Sequence, residues 1–296
     1  MTNDPQVEGS ACGSFYFRAF APYLRFATAV AYLGAFPRRT SSLVRSSEPA
    51  FNVPPVILWL SAAMAFIHGV RALLDTAANN YILLLFAFIP ARFDPEIRAV
   101  VHFPGGLGAD VWTFFTYAFL HAEVLHIVVN LVWMLAFGSA VAWRFGAVRF
   151  LVFFLVTSAI SAATYWFMHP GETAPVIGAS GAISAMMAAT CRFVFADGGP
   201  IGFGRRGAEA YRMPALPLKQ ALRNRQVIVF LLAWFAFNLI SAVSFVGNSL
   251  SGGVNVAWEA HVGGFLAGLF LFRFFDPVPR TVPTVPLAPT DEHDET

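Results

Sequence analysis

A serine between two glycines, in the stretch GASG at residues 178–181, is the first group in this chain that could do chemistry. An apolar run follows it, so Ser180 lies where a helix is expected to begin. A hydroxyl in that place either caps the helix or acts as a nucleophile. The second role is plausible chemically because the free N–H groups of a first helical turn stabilise an oxyanion. A serine nucleophile also needs a nearby base, since its own pKa leaves it protonated at neutral pH.

Two other stretches carry polar side chains that could serve such a serine. The stretch AHVGGFLAG, residues 260–268, holds His261, a possible base. The stretch HAEVLHIVVN, residues 121–130, holds His126 and Asn130. These two are four residues apart, so they share one helix face, and both can donate hydrogen bonds. His121 lies at the end of the same run, where it caps the helix or faces a loop.

Glycines could bring these groups together. Gly264 and Gly268 are four residues apart, and small residues at that spacing let helix backbones approach closely. Gly178 and Gly181 permit unusual backbone dihedrals and close helix contact beside the serine. Helices packed through these positions would place His261 within hydrogen-bond reach of Ser180.

The composition indicates that the elements holding these residues cross a membrane. Hydrophobic residues make up 57% of the 296 residues and charged residues 12%, against about 25% charged in soluble domains. A membrane span needs roughly 20 mostly apolar residues. The sequence predicts six spans, at about Val53 to Leu74, His121 to Trp143, Phe150 to Met168, Ser180 to Phe195, Gln226 to Val246 and Trp258 to Phe275.

The distribution of charge orients these spans. With the N-terminus in the cytoplasm, all but three of the 19 basic residues fall in cytoplasmic segments, as the positive-inside rule expects. Ser180, His126, Asn130 and His261 then lie near the outer ends of their spans, at one depth. The apolar stretch 15–36 contains two arginines and is predicted to be interfacial, with a seventh span as the alternative. Lysine occurs once among the 19 basic residues, a bias towards arginine that indicates a GC-rich bacterial genome. The expected location is a bacterial inner membrane, with an organelle membrane as the alternative.

Taken together, the motifs resemble those of the rhomboid family of intramembrane serine proteases. GASG matches the family's G-x-S-G, HAEVLHIVVN its H-x4-H-x3-N, and AHVGGFLAG its A-H-x-x-G-x-x-x-G. Trp112, nine residues before His121, matches the tryptophan of the family's outer loop. The resemblance covers about residues 53–275.

The resemblance implies an all-α, six-helix membrane domain over residues 51–275. A cytoplasmic N-terminal segment, 1–50, precedes it, and a Pro-rich, acidic and disordered tail, 276–296, follows. Residues 75–120 would form a loop inserted partly into the outer leaflet. Ser180 would be the nucleophile and His261 the base of a Ser–His dyad, with no cofactor. His126, Asn130 and the Ser180 N–H would form the oxyanion hole, and the substrates would be single-span membrane proteins cut near the outer end of their helix.

Two positions depart from the family pattern. The family often has an arginine after the loop tryptophan, where this chain has Thr113, which leaves the anchoring of the loop open. Many members have an aromatic residue four positions after the serine, where this chain has Ser184, so His261 is expected to be held differently or more loosely.

Other functions fit the sequence less well. A catalytically inactive rhomboid-like protein that binds or escorts membrane proteins is the main alternative, but such relatives typically lack the serine or the histidine. A transporter or channel would place ionisable residues along a pathway mid-span, and no Asp, Glu, Lys or Arg lies mid-span in the six predicted spans. No nucleic-acid motif occurs. A metal site through His121, His126 and His261 is disfavoured, because no carboxylate or thiol accompanies them.

Overall fold

The protein is described by a computed structural model that covers residues 53–196, 199–200, 208–243 and 257–279, all within one compact unit, Phe51–Thr296. These residues are almost entirely helical, and the β pairing among them is one isolated antiparallel bridge between Phe88 and Val176. The predictions for residues 1–50, including the stretch 15–36, and for residues 280–296 lie outside the described residues.

The described chain contains eleven α-helices and several shorter turns of helix. A π-helical turn, Met134–Gly138, joins the helix Val124–Trp133 to the helix Ser139–Phe145, so that Val124–Phe145 forms one continuous helix. Short 3-10 segments lie at Pro90–Phe93, Tyr117–Phe119 and Ala208–Arg212. The α-helices are α1 Pro55–Ala72, α2 Thr76–Phe86, α3 Pro95–Val100, α4 Gly106–Thr116, α5 Val124–Trp133, α6 Ser139–Phe145, α7 Ala147–Met168, α8 Ser180–Thr190, α9 Leu218–Ala221, α10 Arg225–Val243 and α11 Trp258–Phe275.

Local sequence accounts for where several of these helices begin. Pro55 is the first residue of α1, a position where the missing N–H of proline costs no helical hydrogen bond. Asp94 caps α3 by accepting hydrogen bonds from the N–H groups of Glu96 and Ile97. Gly146 separates α6 from α7 with φ 78°, a left-handed conformation that glycine adopts without strain.

The all-α polytopic membrane fold predicted from the sequence is confirmed. Within the part of the chain that the structure describes, three stretches of helix are long and apolar enough to cross a bilayer: Pro55–Ala72, Val124–Phe145 and Ala147–Met168. Their outward faces carry large apolar side chains such as Trp59 and Phe66, as lipid-facing surfaces do. The count of six spans stays a prediction.

The fourth predicted span differs most from the structure. Its helix, α8, ends at Thr190 instead of Phe195, and residues 191–196 continue as turns. Eleven residues rise about 16 Å, roughly half of a 30 Å hydrocarbon core. The helix lies in the middle of the bundle, with every residue from Gly181 to Thr190 buried.

The packing of α11 against α8 and α7 forms the centre of the bundle. A Cβ added at Gly264 would overlap the carbonyl oxygen of Gly181, and one added at Gly268 would overlap the carbonyl oxygen of Ala185. Backbone therefore touches backbone along this seam, and only glycine fits at the two α11 positions.

A buried arginine anchors the segment between α1 and α5. Arg92, exposed by only 1%, donates to the carbonyl oxygens of Leu84 and Pro104 and lies 3.8 Å from the Asp110 carboxylate. Burial lowers the pKa of its guanidinium, and the Asp110 charge opposes that shift. Thr113 bonds only its own helix, through the Ala109 carbonyl. Arg92 therefore anchors the segment whose anchoring was open, since Thr113 stands where the family often has an arginine. The sequence analysis did not single out Arg92.

A second buried arginine, Arg144, fixes the C-terminal end of α11. The guanidinium of Arg144 makes two hydrogen bonds of 2.9 Å to the Asp276 carboxylate and two of 2.8 Å to the carbonyl oxygens of Tyr211 and Met213. Asp276 was predicted as the first residue of a disordered tail, and this bidentate pair holds it at the end of α11. The predicted tail, 276–296, stays a prediction.

The glycine seam predicts unequal effects for two Gly→Ala changes. We expect Gly268→Ala to lower the free energy of unfolding by about 1–3 kcal/mol, because the added methyl group overlaps α8 backbone. Gly69→Ala in α1 is the control: a Cβ there meets nothing within 4 Å, so the change is expected to be neutral or stabilising. Unfolding in detergent, followed by circular dichroism, compares the two, and equal effects would contradict the close contact.

Arg92 and Arg98 both pair with Asp110 and provide a second comparison. Arg98 is 43% exposed, so Arg98→Ala should change stability by less than about 1 kcal/mol. Arg92→Ala removes the partner of several buried acceptors and should cost about 3–5 kcal/mol. Limited proteolysis within residues 84–110 should accelerate only for Arg92→Ala, and similar rates for both variants would rule out Arg92 as the anchor.

Candidate active site

Ser180 is the first residue of α8, and its hydroxyl does not cap that helix. The N-cap position is Ala179, and no side chain caps the helix. The Ser180 Oγ lies instead 2.7 Å from Nε2 of His261, near the N-terminal end of α11. Both side chains are partly exposed, so a substrate and water could reach them.

The glycine seam brings this serine and histidine together. Gly264, one turn after His261, packs on Gly181, the residue after the serine. On the neighbouring helix α7, the Ser161 hydroxyl donates to the Ala260 carbonyl at 2.5 Å, which fixes the backbone next to His261. The position of the imidazole therefore depends on α7 and α8 together.

The loop before Ser180 is held by backbone hydrogen bonds. Gly178 has φ 115°, a conformation that other residues rarely adopt, and its N–H donates to the Tyr117 carbonyl at 3.0 Å. Two residues earlier, Val176 exchanges backbone hydrogen bonds of 2.8 and 3.1 Å with Phe88. The segment between α1 and α5 thus fixes the approach of the chain to the serine.

His126 lies directly against this loop. A Cβ at Gly178 would stand 2.7 Å from Nε2 of His126 and 3.8 Å from the Ser180 Oγ. The N–H of Ala122 donates to Nδ1 of His126 at 3.4 Å, which favours the tautomer with its proton on Nε2. The imidazole N–H therefore points toward the serine loop.

Asn130 lies one turn further along α5, on the same face, and is buried. Its amide nitrogen donates to the His126 carbonyl at 2.9 Å. An amide nitrogen carries two hydrogens, so one donor remains after this bond. Together with His126, α5 therefore presents two donors on one face, as the spacing predicted.

The sequence analysis missed the side chain that contacts the other nitrogen of His261. Asn238, in α10, places its Oδ1 2.7 Å from Nδ1 of His261. Its own amide nitrogen donates to the Trp234 carbonyl at 2.8 Å, and the side chain is 4% exposed. An amide inside an apolar span is the same signal that identified Asn130, and applying it to the fifth span would have found Asn238.

Comparison with known proteins identifies the family. A family model described as the Rhomboid domain matches residues 108–275, more than half of the chain. The chain belongs to the rhomboid family.

Individual relatives are similar at low identity. Rhomboid protease GlpG of Enterobacter sp. (strain 638) is 26% identical over 189 residues, which are 63% of this chain and 57% of the relative. Rhomboid protease GlpG of Haemophilus influenzae is 30% identical over 81 residues, 27% of this chain and 42% of the relative. Rhomboid-like protease 3 of Toxoplasma gondii is 24% identical over 206 residues, 68% of this chain and 67% of the relative. The chain thus spans between 42% and 67% of the length of these relatives.

Two other residues of the rhomboid motifs lie outside the immediate surroundings of the serine. The ring of His121 is buried and packs edge-on against His126, with 5.1 Å between ring centroids. It lines a cavity of about 340 Å³ together with His68, Arg71 and Glu123. The indole N–H of Trp112 donates to the Leu85 carbonyl, so that α4 is held to α2. Trp112 therefore contributes to packing between α2 and α4, and His121 contacts the ring of His126.

The position of Gly178 provides a test of the site geometry. Gly178→Ala should slow labelling of Ser180 by a fluorophosphonate probe at least about tenfold, because the methyl group displaces His126 and strains a backbone with positive φ. Gly171→Ala is the control for a positive-φ glycine outside the site, since its φ is 76° and its Cβ faces only Asp94 and Ile97. Mass spectrometry of the labelled protein measures both rates. Equal slowing would show that a general loss of folded protein, and not a change beside Ser180 and His126, is responsible.

Proposed function

We propose that this rhomboid chain is an intramembrane serine endopeptidase that cleaves single-span membrane proteins near the outer end of their transmembrane helix. The observation that carries the proposal is the 2.7 Å hydrogen bond between the Ser180 Oγ and His261 Nε2 at the start of a buried helix. A hydroxyl paired with an imidazole at a helix N-terminus is the arrangement that activates serine for attack on a carbonyl.

In the first half of the proposed reaction, Ser180 Oγ attacks the scissile carbonyl carbon while His261 Nε2 takes its proton. The carbonyl oxygen becomes an oxyanion. It accepts hydrogen bonds from the backbone N–H of Ser180, from the second hydrogen of the Asn130 side-chain amide and from the Nε2–H of His126. His261 then returns the proton to the leaving amine, the C–N bond breaks, and an acyl-enzyme ester remains on Ser180.

In the second half, water hydrolyses the ester. His261 takes a proton from the water as it attacks the acyl carbon, and gives that proton back to Ser180 as the C–O bond breaks. This step needs water at the site, and the partial exposure of Ser180 and His261 supports such access.

The proposed substrate class follows from the membrane setting. The carbonyls of a transmembrane helix are hydrogen-bonded, so attack requires a segment that can leave the helix. Such segments are most accessible near a helix end. With the N-terminus in the cytoplasm, as the arginine distribution predicts, Ser180 and His261 lie near the outer face of the membrane, so the cut is expected near the outer end of the substrate helix. In a bacterium the membrane would be the inner membrane.

The alternative function is that of a catalytically inactive rhomboid-like protein that binds or escorts membrane proteins. It needs no hydrogen-bonded pair of nucleophile and base, whereas Ser180 and His261 are both present and bonded. This contact favours the protease over the escort.

Cleavage of a single-span substrate in proteoliposomes tests the proposal. Ser180→Ala and His261→Ala should each abolish cleavage, because one removes the nucleophile and the other its base. Ser184→Ala is the matched control: it removes a buried hydroxyl one turn further along α8 and should leave cleavage close to the wild-type rate. Full activity of Ser180→Ala would overturn the assignment of the nucleophile.

The oxyanion donors form a separate prediction. Asn130→Ala should lower kcat about 10- to 100-fold without lowering expression, since the loss of one oxyanion donor costs at most a few kcal/mol. The kcat and KM values for the same substrate provide the measurement. An unchanged kcat would remove Asn130 from the site.

A further inference from the structure

We infer that Asn238 is a positioning residue that holds His261 in the tautomer able to accept the Ser180 proton, which makes the site a Ser–His–Asn relay. The inference rests on the proposed function and extends it to a third helix, α10. Asn238 Oδ1 lies 2.7 Å from Nδ1 of His261, while Nε2 of the same ring lies 2.7 Å from the Ser180 Oγ. The three side chains therefore form one continuous chain of hydrogen bonds.

The direction of these bonds follows from one fixed point. The carbonyl oxygen of Trp234 can only accept, so the atom of the Asn238 amide that faces it must be the nitrogen, at 2.8 Å. The amide oxygen then faces His261, and an amide oxygen also only accepts. Nδ1 of His261 must consequently carry the proton in this bond, which leaves Nε2 unprotonated.

An unprotonated Nε2 is what a general base next to serine requires. If the amide were reversed, its nitrogen would face Nδ1, and the ring would carry its proton on Nε2, where it could not accept another. In serine proteases an amide that selects the wrong tautomer lowers kcat about 10⁴-fold. The Trp234 carbonyl prevents that reversal here.

The same bond is expected to strengthen during the reaction. When His261 takes the serine proton it becomes an imidazolium, and its Nδ1–H bond to Asn238 becomes charge-assisted. Asn238 is 4% exposed, so bulk water does not replace it. This support can be weaker than that of a carboxylate, because the amide carries no net charge.

Helix packing holds Asn238 in place. Trp234, one turn earlier in α10, stacks on Phe265 of α11 with 4.4 Å between ring centroids. Phe265 is itself one turn after His261. The Trp234 residue thus joins α10 to α11 through its ring and orients Asn238 through its carbonyl. Asn238 therefore holds His261 in place in this chain, where Ser184 occupies the position at which many family members have an aromatic residue.

The test compares three variants in proteoliposomes, with rates expressed per folded protein. Asn238→Leu removes the acceptor at similar volume and should lower kcat and the fluorophosphonate labelling rate about 10- to 100-fold, part of the 10²–10⁴ that a general base contributes. KM should change little. Asn238→Asp keeps an acceptor oxygen and should retain most of the activity. Asn224→Ala, which removes the N-cap contacts of α10 far from His261, should lower stability but not kcat.

A double-mutant cycle separates positioning from general damage. In a His261→Ala background, Asn238→Leu should cause no further loss of residual Ser180 labelling, because a residue that acts through His261 has nothing left to act on. If Asn238→Leu does not fold, Asn238→Ser replaces it, since a serine hydroxyl is too short to reach Nδ1.

Each result has a defined consequence. A kcat within about twofold of wild type for Asn238→Leu overturns the role of Asn238, as does an equal loss of labelling with and without His261. Failure of the proposed function is recognised separately: Ser180 would not be labelled in the wild type, or Ser180→Ala would still cleave. Loss of cleavage in Ser180→Ala together with full activity of Asn238→Leu would refute only the relay.

Discussion

The close contact of two helix backbones is the constraint on which the rest of the molecule depends. Gly264 and Gly268 let α11 approach α8 until a single added carbon would overlap its carbonyl oxygens. This close approach brings the hydroxyl of Ser180 on α8 and the imidazole of His261 on α11 to hydrogen-bond distance. The seam therefore sets the 2.7 Å separation between Ser180 and His261, and the other helices stabilise it from outside.

Each remaining part of the site is oriented by an element that the seam supports. Backbone bonds from Tyr117 and Phe88 hold the serine loop, so that Gly178 can adopt its left-handed conformation beside His126. The amide of Asn238 reaches His261 from the opposite side, from a helix that stacks on α11. Because bonds within a low-dielectric interior are strong when fully satisfied, such a network fixes protonation as well as position.

Sequence patterns predicted the parts of this arrangement that depend on local chemistry. The bounds of α11, Trp258–Phe275, match the predicted span, since a Pro-rich segment follows an unbroken apolar run. The sequence did not show that α8 is short, because its C-terminal residues turn where Arg192 accepts a hydrogen bond from the distant Leu216 N–H. Arg92 was missed for a related reason: its partners come from other segments, and no spacing along the chain reveals them. Asn238 was detectable as an amide inside an apolar span, but its partner His261 lies on another helix, so the sequence alone does not show their contact.

The two anchors of α11 also determine how the protein comes apart. Its N-terminal end is joined to α8 through His261 and to α7 through the Ser161–Ala260 hydrogen bond, its C-terminal end is joined to α6 through the Arg144–Asp276 pair, and Gly264 and Gly268 contact α8 between them. Helices connected at both ends and along their length exchange their amide hydrogens together, as one cooperative block. The segment between α1 and α5 is attached to this block by backbone bonds near Phe88 and by the rings of Phe93 and Phe114 against Trp166 of α7, so it separates from the block only when these contacts break.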